Sequence, residues 1–213
     1  MQLKLKNNTF TLLEQKAIWW EEEQTLLVSD LHIGKIMHFR KAGIAVPQQA
    51  AEENFGRLNT IMRSHDVKRI VFVGDLFHSD VNSEWDLFCA WRKQYSEVEM
   101  ILVLGNHDII PIEKYKEICL VVYQQELKIG VFTFAHHPKP LAAEEEYVIS
   151  GHIHPVIKLR GLANQRLKFP CFYFGEQQAL LPSFGQFTGG YNIEISDNDQ
   201  VIAVVEDKLI KIQ

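Results

Sequence analysis

Five short apolar runs in this sequence each end abruptly in polar residues rich in Asp, His and Gly. The runs span 25–28, 69–73, 101–104, 131–135 and 147–150. Continuous apolar runs of this length are typical of strands that are buried on both faces of a sheet. Ligands of such sheets bind beyond the carboxyl ends of the strands, so the polar residues that follow the five runs are predicted to meet at one rim.

The segments between the runs predict a layered α/β fold, with β-α-β crossovers first and a more antiparallel second half. Pro47, followed by apolar residues at helical spacing, predicts one helix, and Ser83 with Asp86 predicts the start of another. Further strands are predicted at 127–135, 155–159, 169–174, 191–195 and 201–205. The expected architecture is a two-sheet β-sandwich flanked by helices, with the active site at the carboxyl ends of strands. A length of 213 residues favours one domain over 1–213.

Charge and composition narrow the class of protein. The formal net charge of −5 argues against a strongly basic binder of nucleic acid or membranes, although a metal site could still reverse the sign locally. The three cysteines are far apart, which disfavours a disulfide framework. The first residues lack the apolar segment of a signal peptide, and no apolar stretch approaches the roughly 20 residues that span a bilayer. We expect a cytoplasmic protein without membrane contact, whose oligomeric state stays open.

The polar residues after the runs are of the types that bind metals. Asp30 and His32, like His152 and His154, are two positions apart, and extended backbone would point both members of a pair to one side. Oxygen and imidazole ligands without thiolate suit Mn, Fe, Zn or Co rather than a structural zinc–thiolate site.

In this order, the motifs resemble those of the calcineurin-like metallophosphoesterase superfamily. The motifs are Asp30-x-His32, Gly74-Asp75, Gly105-Asn106-His107-Asp108, His136 and Gly151-His152-x-His154. The resemblance implies two divalent metal ions, with Mn favoured over Fe, Zn or Co. It implies that the first ion is held by Asp30, His32 and His154, the second by Asn106, His136 and His152, and that Asp75 bridges them. His136 is preferred to its neighbour His137 as the ligand.

The resemblance also implies roles for residues beside the metals. His107 would protonate the leaving oxygen or stabilise the transition state, and Asp108 could orient its ring. His78 could steer the substrate or serve a structural role, and both readings stay open. Lys35 and Arg40 could contact a phosphate of the substrate, although exposed lysines are often merely solvated.

A closer resemblance, over nearly the whole chain, is to bacterial DNA-ligase-associated phosphoesterases, described as DNA damage-response endonucleases. It is carried by residues 30–35, Phe39-Arg40, Gly43-Ile44, Pro47, 74–79, 136–138 and 181–190. It implies an endonuclease or end-processing enzyme of DNA repair, with ligase, helicase and exonuclease partners.

Two alternatives remain: hydrolysis of a small nucleotide, pyrophosphate or phosphoprotein, and a non-catalytic scaffold. The scaffold is disfavoured because His107 and every candidate ligand are present. The role of the Gly189-Gly190 turn is open.

Overall fold

The computed structural model describes residues 1–41, 43, 46, 49–78, 80–140, 145–160, 166–186 and 188–213. The described helices are α1 (Lys35–Lys41), α2 (Gln49–Ser64), α3 (Ser83–Gln94) and α4 (Ile112–Glu117). Among them, none combines the length and the apolar composition that crossing a membrane requires.

Two β-sheets form the framework. Within the described residues the first sheet has seven strands in chain order: β1 (Gln2–Leu5), β2 (Asn8–Leu13), β3 (Ala17–Trp20), β4 (Thr25–Val28), β5 (Arg69–Val73), β6 (Glu99–Val103) and β7 (Leu120–Tyr123). Strands β1 to β4 form an antiparallel meander, and β4 to β7 are parallel. The predicted crossovers are confirmed, because a helix separates each of these parallel strands from the next.

The second sheet is mixed. Its described strands are β8 (Glu126–Ile129), β9 (Phe132–Ala135), β10 (Tyr147–Ser150), β11 (Pro155–Arg160), β12 (Arg166–Phe174), β13 (Gln178–Leu180), β14 (Tyr191–Asn192), β15 (Gln200–Val205) and β16 (Lys208–Lys211). Strands β9, β10 and β13 are parallel neighbours, whereas β8–β9, β11–β12 and β15–β16 pair in antiparallel fashion.

The predicted sandwich is confirmed by the way alternate residues of the central strands divide between two cores. In β5, Ile70 and Phe72 pack with the helices, while Val71 and Val73 pack against the second sheet. This alternation is the period of two expected of a strand buried on both faces. The described parts of α2, α3 and α4 contribute to the first core alone, so these helices cover only the first sheet.

Three local predictions differ from the structure. The run 127–135 is not one strand but the hairpin β8–β9, which turns at Gly130 with a φ of 58°. Helix α3 is capped by Asn82 rather than by a Ser83 capping box, since Asn82 Oδ1 accepts a hydrogen bond from Glu84 N at 2.8 Å. Pro47, the predicted start of a helix, lies outside the described residues, and described α2 begins at Gln49.

Candidate metal centre

The candidate ligands follow the ends of strands from both sheets. Strands β4 and β5 are in parallel register, and beyond them the Asp30 N–H donates to the Gly74 carbonyl at 3.1 Å. The second sheet joins at the same rim, because the His152 N–H donates to Asp30 Oδ2 at 3.1 Å. His136 Nδ1 lies 3.2 Å from the Val73 carbonyl, which links the two sheets again. The predicted convergence of strand ends is therefore observed for the described residues.

The first cluster contains Asp30, His32 and His154. His154 Nδ1 lies 3.0 Å from the Gly189 carbonyl, to which it donates, so its Nε2 carries a lone pair. That Nε2 lies 3.1 Å from Asp30 Oδ1 without hydrogen-bond geometry. His32 Nε2 is also buried and has no hydrogen-bond partner among the described residues. Buried acceptor atoms that face one another are unfavourable unless a cation lies between them.

The second cluster is centred on His136. Its Nε2 lies 3.4 Å from Asp75 Oδ2, 3.2 Å from Asn106 Oδ1 and 3.2 Å from His152 Nδ1. Because Nδ1 donates to the Val73 carbonyl, Nε2 points into this group of acceptors. A ring nitrogen that donates to a backbone carbonyl while the other faces acceptors is the usual arrangement of a metal-binding histidine.

Asp75 lies between the two clusters. Its Oδ2 is 3.9 Å from His32 Nε2 and 3.4 Å from His136 Nε2. Burial raises the pKa of Asp75, but the hydrogen bond and charge of His136 outweigh burial and lower the pKa to about 2. One ionised carboxylate oxygen thus faces a ring nitrogen of each cluster.

The surroundings of His32 and His136 shift their pKa values in opposite directions. Burial, followed by the charge of Lys35, lowers the pKa of His32 to about 2, so its ring is neutral near pH 7. Burial lowers the pKa of His136, yet the hydrogen bond and charge of Asp75 raise it above its usual value. The Asp75–His136 pair therefore favours a positive charge at its centre, which either a proton or a metal cation can supply.

The backbone of the candidate ligands is unusual. Five of them have φ values between 49° and 63°, in the left-handed region that few residues other than glycine adopt: Asp30, His32, Asp75, His152 and His154. The i, i+2 pairs therefore converge through left-handed turns, and the predicted extended backbone is wrong. Such conformations cost about 1–3 kcal/mol each and cluster at functional sites.

Two glycines allow the loops to approach one another. A Cβ on Gly74, which has a φ of 80°, would overlap the His136 ring. A Cβ on Gly151 would overlap Ser29 Oγ and Asp30 Oδ2. Any larger residue at either position would displace candidate ligands.

His107, His78 and Lys35 lie beside these clusters. The His107 N–H donates to Asp75 Oδ1 at 2.8 Å, and its ring stacks on His78 with centroids 4.6 Å apart. His78 Nδ1 is 3.3 Å from His32 Nδ1. Burial lowers the pKa of Lys35, while the nearby charges of Asp75 and Asp30 raise it less strongly. The structure thus groups the three residues with the candidate ligands.

The contacts of Asp108 differ from the prediction. Asp108 accepts hydrogen bonds from the Phe77 N–H at 2.9 Å and the Gly105 N–H at 2.8 Å. Within the described residues it makes no hydrogen bond to the His107 ring, so it positions two loops rather than that ring. Burial raises the pKa of Asp108 to about 7. Arg40 is exposed near the end of α1, five residues beyond Lys35.

One residue approaches the centre more closely than the sequence indicated. His137 forms a third group with His136 and His152, and its ring centroid lies 4.0 Å from that of His152. The doubled histidine at 136–137 was the only signal for it in the sequence. Four residues of the quoted motifs, Ile44, Pro47, Ser79 and Phe187, lie outside the described residues.

The chain is similar to proteins of known structure and matches one family model. The solved structure of Pseudomonas putida nuclease MPE is similar over 100% of this chain and 99% of that one, with 29% identity and a TM-score of 0.86. A protein of unknown function, AQ665 from Aquifex aeolicus, has 18% identity over 61% of this chain and 78% of its own, with a TM-score of 0.46. A comparison with curated proteins finds no match. The family model for calcineurin-like phosphoesterases matches residues 24–147, more than half of the sequence, and the chain therefore belongs to this family of hydrolases that act on phosphoester bonds.

Proposed function

We propose that the protein is a two-metal phosphodiesterase that cleaves DNA, as an endonuclease or end-processing enzyme of repair. The observation that carries the proposal is the position of Asp75 Oδ2 between His32 Nε2 and His136 Nε2. The whole-chain similarity to a protein named as a nuclease supports a nucleic-acid substrate. The sequence resemblance to ligase-associated endonucleases supports DNA as the substrate and partners that include a ligase, a helicase and an exonuclease. We propose a cytoplasmic location as well.

Each proposed metal site draws on residues of both sheets. The first is formed by Asp30, His32 and His154, and the second by Asn106, His136 and His152, with Asp75 shared. Two observations support this assignment. The Nε2 atoms of His32 and His154 are buried and have no hydrogen-bond partner in the described part of the chain, and acceptor atoms surround His136 Nε2. Mixed carboxylate, amide and imidazole donors favour Mn, with Fe, Zn or Co also compatible.

Electrostatics favour an anionic substrate at this centre despite the net charge of −5. When bound, two divalent cations supply Lewis-acid activation of water and stabilise negative charge on the phosphate. Their four positive charges exceed the two negative charges of Asp30 and Asp75. Lys35, at the start of α1, adds a positive charge at the same rim.

His107 is the proposed general acid for the leaving oxygen. Its backbone N–H is held by Asp75 and its ring stacks on His78, so the imidazole has a defined orientation beside the clusters. His78 is proposed to orient His107 and to contact the phosphate together with Lys35. Arg40, exposed beyond Lys35, is proposed to contact a more distant part of the substrate.

The experiment compares bis(p-nitrophenyl) phosphate, a diester, with p-nitrophenyl phosphate, a monoester, and with a DNA oligonucleotide, each with added Mn²⁺. The proposal expects the diester and DNA to be hydrolysed in preference to the monoester. Asp75→Asn should lower kcat/KM on both at least about 100-fold, since even residues that only support a ligand contribute 10- to 100-fold. Asp207→Asn, a change at an exposed turn, is the matched control.

Monoester preference would contradict the diesterase assignment. Diester turnover without DNA cleavage would favour a small nucleotide or pyrophosphate. Absence of turnover with any divalent metal would favour a scaffold. The salt dependence of turnover separates DNA from a small nucleotide or pyrophosphate as the substrate. Contacts to several DNA phosphates make DNA binding weaken steeply as the salt concentration rises.

A further inference from the structure

A cavity of about 310 Å³ opens directly beside the first metal cluster. Its lining includes His154, Lys16, Ser183, Gln186 and Thr188. Lys16 lies in the turn between β2 and β3, where it adopts a left-handed backbone with a φ of 67°. The cavity therefore joins the candidate ligand His154 to a lysine that is 138 residues away in sequence.

The positive charge of Lys16 is not balanced by a direct partner. Its ammonium makes no hydrogen bond or ion pair with any described residue. Burial and the charge of Arg57 lower the pKa of Lys16 to about 8, while Glu53 opposes them more weakly. Lys16 is half-buried, and charges that are partly removed from water are normally paired. A lysine that lines a cavity, and whose ammonium has no hydrogen-bond or ion-pair partner among the described residues, is therefore suited to bind an anionic ligand.

Arg57 reinforces this charge and shapes the cavity wall. Its guanidinium donates to Asn54 Oδ1 at 2.7 Å and to the Phe184 carbonyl, and it lies 4.3 Å from the centroid of the Phe184 ring. These contacts hold the segment that carries Ser183 and Gly185, both of which line the cavity. Arg57 is therefore a fixed positive charge behind the wall.

The remaining lining is consistent with an anion. None of the lining residues that the structure describes is acidic, and Gln186, Ser183 and Thr188 are neutral polar residues. The Ser183 hydroxyl already donates to the Asp30 carbonyl at 2.9 Å, which leaves Lys16 as the principal charged donor.

From this arrangement we propose that the cavity is a subsite for a second phosphate of the nucleic-acid strand, adjacent to the phosphate that is cleaved, and that Lys16 binds it. The inference rests on the proposed function, because it needs the scissile phosphate at the metal centre. His154 belongs to the first metal cluster and also lines the cavity, so a strand bound at the metals can extend directly into the cavity. The subsite makes the protein select phosphodiesters within a strand over isolated diesters.

The test compares two substrates of the metal-loaded protein: thymidylyl-thymidine carrying a terminal phosphate, and bis(p-nitrophenyl) phosphate, which has a single phosphate. The measured quantity is the ratio of the two kcat/KM values. Lys16→Met should lower this ratio roughly tenfold through KM of the dinucleotide, the effect of losing one charged hydrogen bond. Lys16→Arg, which keeps the positive charge, should retain most of the wild-type ratio.

Lys6→Met is the matched control, because Lys6 is an exposed lysine that also has a left-handed backbone, with a φ of 47°. It should leave the ratio unchanged. A second readout is the binding of a single-stranded oligonucleotide at several salt concentrations. Lys16→Met should reduce the slope of log K against log salt by about 0.7, the contribution of one phosphate contact on a single strand.

The failures are distinguishable. A wild-type protein that hydrolyses no diester overturns the proposed function and the subsite with it. An active wild type with the same ratio and salt slope in Lys16→Met overturns the subsite alone. If Lys6→Met lowers the kcat/KM ratio as much as Lys16→Met does, the effect comes from net charge, and the subsite is overturned. If Lys16→Met and Lys16→Arg both lose activity on both substrates, the effect comes from folding, and the subsite is again overturned.

Discussion

At the scale of single residues, the centre depends on which nitrogen each imidazole directs inward. His136 donates through Nδ1 to the Val73 carbonyl and His154 through Nδ1 to the Gly189 carbonyl. In both residues Nε2 then faces a carboxylate, Asp75 or Asp30. The backbone carbonyls thereby select the tautomers that can bind a metal.

His107→Ala tests the proposed general acid through the leaving group. A DNA alkoxide needs a proton when the bond breaks, whereas p-nitrophenolate is stable without one. We expect kcat on an oligonucleotide to fall about 10²- to 10⁴-fold and kcat on bis(p-nitrophenyl) phosphate to fall much less. His65→Ala, which alters a ring packed on Trp19, is the control. Equal losses on both substrates would contradict the role of proton donor.

His136→Ala and His137→Ala separate the two adjacent histidines. His136 is buried with Nε2 at the cluster centre, whereas His137 is exposed and its ring lies against those of His136 and His152. After dialysis against Mn²⁺, elemental analysis should find about one ion per chain in His136→Ala and two in His137→Ala. The reverse result would assign the ligand to His137.

At the scale of elements, α3 holds the beginning of α1. The buried Glu84 carboxylate accepts hydrogen bonds from the Gly34 N–H at 2.8 Å and the Met37 N–H at 2.9 Å. Free N–H groups at a helix start need such acceptors. Because α1 begins with Lys35, this contact from a neighbouring helix also positions a residue that lies near the candidate ligands Asp75 and Asp30.

Glu84→Ala should lower the free energy of unfolding by about 2–3 kcal/mol, because two N–H groups lose their acceptor. Asp86→Ala, an exposed change in the same helical turn, should stay within about 0.5 kcal/mol of wild type. Urea denaturation followed by circular dichroism measures both. If the two variants were equally stable, the Glu84 contacts would not support α1.

Elements were predictable where their pattern is local. The central strands β4, β5, β6 and β10 agree closely with the apolar runs, because residues buried on both faces leave an unbroken apolar signal. Strands β1 and β2 lie outside the predicted elements, and β1 is a half-exposed strand at the sheet edge. Polar residues such as Lys4 are compatible with that position, so the sequence carries little signal there.

At the scale of the whole molecule, the core between the sheets joins distant parts of the chain. Phe10 and Val71 of the first sheet share this core with Phe134, Phe172 and Ile202 of the second. The candidate ligands also come from both sheets. We therefore propose that residues 1–213 form one cooperative domain.

Thermal unfolding should accordingly show one transition, and Mn²⁺ should raise its midpoint. A ligand at 100 times its Kd that binds only the folded state stabilises it by about 2.7 kcal/mol. Chelation should reverse the shift, and Asp75→Asn should reduce it. Scanning calorimetry measures each of these changes. Two separate transitions would contradict the single domain, and an Mn²⁺ shift unchanged in Asp75→Asn would contradict the shared ligand.

The sequence by itself determined the buried strands and the types of donor residue at their ends, because both are written in short continuous segments. It did not determine how those donors meet. Three features of the centre depend on the packing of separate loops. They are the hydrogen bonds of Asp108, the left-handed turns at Asp30 and His32, and the short distance between His137 and His152. The carbonyl that orients His136 belongs to Val73, 63 residues earlier, and Lys16 reaches the cavity of His154 only in the folded protein. Such relations depend on the distance between segments in space, which only the tertiary structure decides.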